Sequence, residues 1–270
     1  MRGKTQRFLT RRFENGNERR LPDELIVEEP LTIRLDGDDI ATTMRTPGND
    51  FELAVGFAYT DGQIPTGALS TIRYCGTGPA SESEFNVVSV ESNGEANPRP
   101  RIGTVSSSCG LCGSDAIDEL RARIHPLKNP THFSVDTLTK VLHHIKGQQE
   151  LFNKTGAVHG AAVFDDSGMV RVVREDIGRH NAVDKVVGRL YLDDRLPAAG
   201  LGLFVSGRAS FEMVQKAWAA GFGSLLAVSA PSALAVDAAR TARLQLAGFA
   251  RTDRLNLYSP EESPAFPASP

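Results

Sequence analysis

Long apolar runs are missing from this chain. The nearest thing to one, residues 217–236, has no charged side chain, but Gly221, Gly223 and Pro231 interrupt it. A helix end, a buried strand and a new helix start explain it better than a membrane span. Cysteine is scarce as well. Three in 270 residues, an odd number with two of them only three positions apart, exclude a disulfide framework and suit a reducing cytoplasm. Charge excess is also lacking. With 30 Lys and Arg against 33 Asp and Glu, the total predicts no affinity for nucleic acid. The remaining composition, 40% hydrophobic and 23% charged, is that of a soluble globular chain, which excludes collagen-like, mucin-like and acidic disordered classes. The length allows one large domain or two of ordinary size.

The charge is unevenly placed. Residues 1–20 hold seven Lys or Arg and two Glu, so a basic arm precedes an acidic body. Arg11-Arg12-Phe13 resembles a twin-arginine export signal, but Glu-Asn-Gly-Asn-Glu-Arg-Arg follows it instead of an apolar stretch, and no cleavable signal is read there. The arm, residues 1–20, is expected to be solvated and flexible.

From 21 to about 130 the pattern is strand-rich. Residues 24–29 and 31–35 lead into an Asp36-Gly37-Asp38-Asp39 turn and a return strand over 40–45, which reads as a hairpin. Asn49 or Asp50 can cap a helix carrying Phe51, Ala54, Val55, Ala58 and Tyr59 at helical spacing, with Gly62 past its end. Further strands are expected at 71–75, 85–90 and 101–105. Beyond Asn129-Pro130 the character changes. Ser134 caps a helix over 135–149, strands at 161–164 and 169–174 flank an Asp-Asp-Ser-Gly turn, and helices over 181–192, 209–220 and 232–246 alternate with strands at 201–205, 224–228 and near Phe249. Alternation of this kind predicts parallel pairing with helices packed on the sheet. The expected fold is α/β (α+β overall), divided into an arm (1–20), a strand-rich part (21–130), an α/β part (131–257) and a proline-rich disordered tail (258–270).

Three segments could carry chemistry. In Ser108-Cys109-Gly110-Leu111-Cys112-Gly113-Ser114 two thiols precede a predicted helix over 115–124. The free amides and positive dipole end of that helix favour thiolate and lower the thiol pKa. A zinc half-site, a disulfide switch and inert cysteines are the other readings, although the chain offers only Cys75 and six histidines to complete a zinc site. The second segment, Glu175-Asp176-Ile177-Gly178-Arg179-His180-Asn181-Ala182-Val183-Asp184-Lys185, lies at a strand-to-helix junction. There an anion seat made by Arg179, His180 and Lys185 around the helix's first amides and a capped helix with a salt-bridged first turn are equally good readings. Val205-Ser206-Gly207-Arg208 repeats the arrangement, so Arg179 and Arg208 on adjacent strand ends would frame a phosphate-sized pocket. Third is His159, set among small residues in Thr155-Gly156-Ala157-Val158-His159-Gly160.

Together with Arg45-Thr46-Pro47, Leu53-Ala54-Val55-Gly56-Phe57, Ser229-Ala230-Pro231-Ser232 and Gly248-Phe249-Ala250-Arg251, these segments resemble, in order, the FdhD family of sulfur carriers required for formate dehydrogenase activity. The resemblance implies a cytidine-deaminase-like three-layer α/β second half and a homodimer. It also implies a function: sulfur taken from a cysteine desulfurase as a cysteine persulfide and passed to the molybdenum cofactor, bis(molybdopterin guanine dinucleotide), of formate dehydrogenase. Carried over by position, Cys109 is the persulfide carrier and Cys112 its partner or relay. Phe249, Ala250, Arg251, Thr252, Asp253 and Arg254 form the cofactor-binding segment, and no resident metal is implied. A zinc deaminase would need H-x-E followed by P-C-x-x-C, and His159-Gly160-Ala161 lacks the Glu. A thioredoxin-like reductase would need its C-x-x-C after the first strand of a βαβ unit, a context this half does not supply. A chaperone that holds the cofactor without transferring sulfur stays open.

Overall fold

The computed structural model describes residues 3–74, 85–100 and 125–260. Cys75, Cys109, Cys112, the expected strand at 101–105, the expected helix at 115–124 and residues 261–270 lie outside them. The described fold is mixed α+β, with three sheets.

The first sheet replaces the expected arm. Strands β1 (Thr5–Glu14) and β2 (Asn17–Ile26) pair antiparallel from Thr5↔Ile26 to Glu14↔Asn17. Asn15 and Gly16 between them have φ of 51° and 79°, the left-handed pair that a two-residue hairpin turn requires and that Asn-Gly supplies at least cost. That dipeptide was the sequence signal for a ribbon, and it outweighs the local charge density.

The second sheet contains β3 (Glu29–Leu35), β4 (Asp38–Arg45), β5 (Leu69–Tyr74) and β6 (Val87–Ser92) in the order β4-β3-β6-β5. Helix α1 (Asp50–Thr60) packs on it, burying Leu53, Ala54, Val55, Phe57 and Ala58 against Leu31, Ile33, Val88 and Val90. Asn49 stands at the N-cap in a left-handed conformation without a side-chain cap. Asp50 turns inward to Arg45, which donates to it through Nε and Nη2 at 3.1 Å each.

The third sheet has six strands in the order β12-β11-β10-β9-β7-β8: β7 (His159–Phe164), β8 (Val170–Asp176), β9 (Gly202–Val205), β10 (Ser224–Ala227), β11 (Gln245–Arg251) and β12 (Arg254–Ser259). Pairing is parallel for β9, β10 and β11, but β7 is antiparallel to both its neighbours and β12 to β11. The parallel pairing expected from strand–helix alternation is present in β9, β10 and β11, whereas β7 and β12 run against it. The Asp165–Gly168 turn is too short for a crossover and folds β8 back beside β7, and α4 (Arg179–Leu192) then carries the chain over β7 to β9. Side chains alternate between two cores. Ala161, Val163, Leu203, Val205, Leu225 and Leu246 face α4, α5 (Phe211–Ala220) and α6 (Ala233–Ala242). Ala162, Phe164, Phe204, Leu226 and Ala247 face α2 (Val135–Ile145). Three layers result.

Element ends depart from expectation for local reasons. The helix expected over 135–149 stops at Ile145 before Gly147 at φ 94°, and a short α3 (Glu150–Thr155) follows. The helix expected to reach 246 ends at Ala242, where Arg243 takes a left-handed cap and frees residues 245–251 for the sheet. Tyr258 and Ser259, assigned to a disordered tail, belong to β12. The uncharged run 217–236 resolves into the end of α5, β10 and the start of α6, and no described helix is long and apolar enough to cross a membrane.

Helices α1 and α4 cross at two glycines. A Cβ on Gly56 would lie 1.9 Å from the Asp184 carbonyl oxygen, and one on Gly188 1.8 Å from that of Glu52. Only glycine permits this backbone approach, which joins the strand-rich part to the six-stranded sheet.

Candidate functional site

The predicted segment 175–185 divides into two sets of side chains with different surroundings. The first set is sealed in the seam between β4, α1 and α4. Asp176, fully buried, accepts hydrogen bonds from Thr46 N (3.1 Å), Gly178 N (2.8 Å) and Asn181 Nδ2 (3.0 Å), and pairs with Lys185 Nζ at 2.7 Å. Lys185 also donates to Thr46 O, and Asn181 donates to Met44 O. Asp184 accepts from Lys216 at 2.7 and 2.9 Å and from Thr60 Oγ1 at 2.9 Å. Glu175 caps α3 by accepting from Leu151 N and Phe152 N. These groups satisfy one another and join the sheets; for them the salt-bridged reading holds, and Lys185, expected in the anion seat, is buried on Asp176 instead.

The second set opens onto one edge of the six-stranded sheet. Strands β8, β9, β10 and β11 all end there, and β7 begins there, because His159 pairs with Asp176. A row of backbone hydrogen bonds runs across this edge: Ser206 N to Gly160 O, Ser229 N to Gly207 O, and Phe249 N to Ser229 O. Helices α4, α5 and α6 start from it. Gly178 and Ser210, the N-caps of α4 and α5, make no side-chain cap hydrogen bond, whereas Ser232 caps α6 through Ala235 N. Two positive helix ends therefore point at the row.

Around those ends sit Arg179, Arg208, His159 and His180. Gly207 brings them together: a Cβ there would lie 3.4 Å from His159 Nδ1 and 3.8 Å from Arg179 Cδ. Arg179 Nε is buried and finds no hydrogen-bond partner among the described residues. Burial, then repulsion from Arg208, pull the Arg179 guanidinium below its ordinary range, with Glu212 acting the other way. Burial, followed by Arg179 and His180, also holds His159 below the usual imidazole range, so it is neutral at neutral pH. Glu212 pairs with His180 and ties the first turns of α4 and α5 together. An anion with several oxygens would supply the partner that Arg179 Nε lacks, offset its repulsion from the exposed Arg208 and accept from the free amides.

The expected cofactor segment borders this edge. Phe249 is 45% exposed and takes a positive φ of 51°, a strained backbone for a residue without a local polar side chain. Arg251 folds back to donate to Val228 O at 2.7 Å and Ala250 O at 2.8 Å. Thr252 and Asp253 form the exposed turn, and Arg254 opens β12 opposite Arg251. Ala250 differs from its neighbours: its side chain is 1% exposed and packs in the core under α2, so any contact it makes with a ligand is through backbone. Glu212, absent from the sequence reading, could have been found as the acid in the first turn after Arg208.

Cys109 and Cys112 lie outside the described residues, but the chain leaves the described structure at Pro100 and returns at His125. Both positions flank a cleft of about 510 Å³ lined by Tyr59, Asp61, Glu95, Arg99, His125 and Trp218. Trp218 Nε1 donates to His125 O at 2.9 Å. Trp218 belongs to the C-terminal end of α5, and the Arg208 edge lies at its N-terminal end. His125, the first described residue after the thiol segment, and the anion edge thus lie at opposite ends of a helix roughly 15 Å long.

A model of the FdhD/NarQ family matches residues 26–264. A sulfur carrier protein FdhD from Mycolicibacterium paratuberculosis is 44% identical over 246 residues, covering 88% of this chain and 90% of the relative. One from Nocardia farcinica is 44% identical over 262 residues, covering 94% and 93%. Among solved structures, one assigned as a formate dehydrogenase accessory protein from Desulfotalea psychrophila superposes with a TM-score of 0.76 at 22% identity, covering 95% of this chain and 97% of that one.

Proposed function

Because this chain belongs to the FdhD/NarQ family, we propose that it is a sulfur carrier that accepts sulfur from a cysteine desulfurase on Cys109 and delivers it to the molybdenum cofactor of formate dehydrogenase. It works as a cytoplasmic homodimer. The observation that carries the reading is the strand edge, where Arg179, its buried Nε without a partner among the described residues, converges with Arg208 and two helix starts that have no side-chain cap. Diphosphate groups of a guanine dinucleotide suit that donor set. Arg179 and Arg208 would hold the diphosphates, and Phe249, Arg251, Thr252, Asp253 and Arg254 would border the bound dinucleotide. The cofactor itself supplies the metal that receives sulfur.

In the loading step the Cys109 thiolate attacks the outer sulfur of a donor persulfide. One S–S bond forms, the donor S–S bond breaks, and the donor cysteine leaves as a thiolate that takes up a proton; there is no net oxidation. For delivery, Cys112 thiolate can attack Cys109 Sγ and expel hydrosulfide toward the cofactor, leaving a Cys109–Cys112 disulfide that a thiol reductant resets.

Reconstitution of formate dehydrogenase with purified components tests the proposal. Cys109→Ala should abolish activation and Arg208→Ala should weaken it. A second reading, a chaperone that holds the cofactor without moving sulfur, would use the same anion edge. It predicts that Cys109→Ala activates normally, and that result would overturn sulfur transfer.

A further inference from the structure

The β1–β2 ribbon hydrogen-bonds to neither of the other sheets. Its ladder ends with Val27 N donating to Lys4 O, and at that base β2 packs beside α3. From Arg11 to Arg20 every residue is exposed. A two-stranded hairpin alone in water is marginally stable, and both of its edges offer unpaired backbone groups. Its side chains are also unlike those of a solvated loop. Leu9 and Phe13 are 71% and 68% exposed, and Phe8 and Leu25 are exposed too. Alternation puts Leu9, Phe13, Pro22 and Ile26 on one face, with Phe8, Leu21 and Leu25 on the other.

The register adds a second oddity. Arg11 stands directly opposite Arg20, and Arg12 directly opposite Arg19. Like charges facing across a strand pair are destabilising by themselves, and Glu18, bound to Arg11 at 2.6 Å, relieves only one of these pairs. A ribbon that mixes exposed Phe and Leu with surplus Arg has the composition of an interface core rather than of a free surface. Its complement is on the same chain: residues 1–26 carry seven basic and four acidic side chains, leaving 23 basic against 29 acidic in the remainder.

We infer that the ribbon is an exchanged arm, laid across the acidic body of a second copy of this chain. A face of a ten-pair ribbon measures roughly 34 Å by 10 Å. Two such arms exchanged about a two-fold axis bury on the order of 1,300 Å² counted over both partners, within the size of a stable specific interface. This deepens the two-fold association proposed above by naming the element that makes it. It does not depend on sulfur transfer.

Sedimentation velocity of the full chain over a range of concentration and salt tests it, with Leu9→Asp/Phe13→Asp and with Arg11→Glu/Arg12→Glu/Arg19→Glu/Arg20→Glu. All six positions are exposed, so circular dichroism should be unchanged. Wild type should be dimeric at micromolar concentration, each variant should raise the dissociation constant about tenfold or more, and salt should weaken the dimer in the same direction. A photoreactive benzophenone side chain at position 13 should join tagged to untagged chains. An unaltered dimer in both variants, or crosslinks from position 13 confined to one chain, refutes the arm and leaves the two-fold association standing. A wild type that sediments as a monomer throughout refutes both.

Discussion

The seam between α1 and α4 and the edge where α4 and α5 begin draw on the same short stretch of sequence, yet they treat charge in opposite ways. In the seam, Asp176 meets Lys185 and Asp184 meets Lys216, both pairs buried and ringed by further hydrogen bonds. At the edge, Arg179 and Arg208 repel each other, and Arg179 keeps a buried Nε without a partner. The difference teaches which part of a distinctive motif builds the fold and which part is left to bind. Charges that are mated inside hold two sheets together, while charges gathered at a strand edge would suit the anion proposed there.

The comparison breaks first at Lys185. Lys185→Ala strands the buried Asp176 carboxylate and should cost about 3–5 kcal/mol, lowering the melting temperature by on the order of 10 °C; an unchanged thermal transition would remove the seam's structural role. Gly56→Ala forces a methyl group against the Asp184 carbonyl, and chemical denaturation should report a loss of about 1–3 kcal/mol or more. Arg179→Ala should do the reverse of both. It should leave stability within about 0.5 kcal/mol while weakening the binding of inorganic pyrophosphate about tenfold or more by calorimetry, the value of a charge-assisted hydrogen bond. If Arg179→Ala unfolds the protein and Lys185→Ala weakens only pyrophosphate, the two regions have been assigned the wrong way round.

The smallest effect is that of pH on His159. Its imidazole is held below the ordinary range when folded, whereas the unfolded chain titrates near about 6.5. The unfolded state therefore binds more protons as pH falls below that value. His159 adds nothing against stability above it and costs stability progressively below it. Denaturation midpoints of wild type and His159→Gln should coincide at neutral pH and separate on acidification, with the wild type the less stable. Parallel curves would contradict this.

Much of this arrangement was legible in the sequence. The β3–β4 hairpin announced itself by Asp36-Gly37, α2 by Ser134, and the strand ends by the small residues before Arg179 and Arg208. What escaped was decided by features outside local periodicity. The ribbon was hidden by its charges although Asn15-Gly16 named the turn, and β7 runs against its neighbours because a four-residue turn leaves no alternative. The burial of Asp176 and Lys185 depends on Thr46, some 130 residues away, which no local pattern expresses. Ala250 matched the cofactor segment by position, but the irregularity of β11 at Phe249 breaks the strand's alternation and turns the Ala250 side chain into the same core as Ala247.

The claim on which the functional account turns is that Cys109 carries sulfur. Intact-mass spectrometry of the wild type, Cys109→Ala and Cys112→Ala, after incubation with a cysteine desulfurase and cysteine, tests it most directly. One added sulfur atom should be found on the wild type and on Cys112→Ala, removable by a thiol reductant, and none on Cys109→Ala. An adduct that persists on Cys109→Ala, or none on any of the three, would contradict the account.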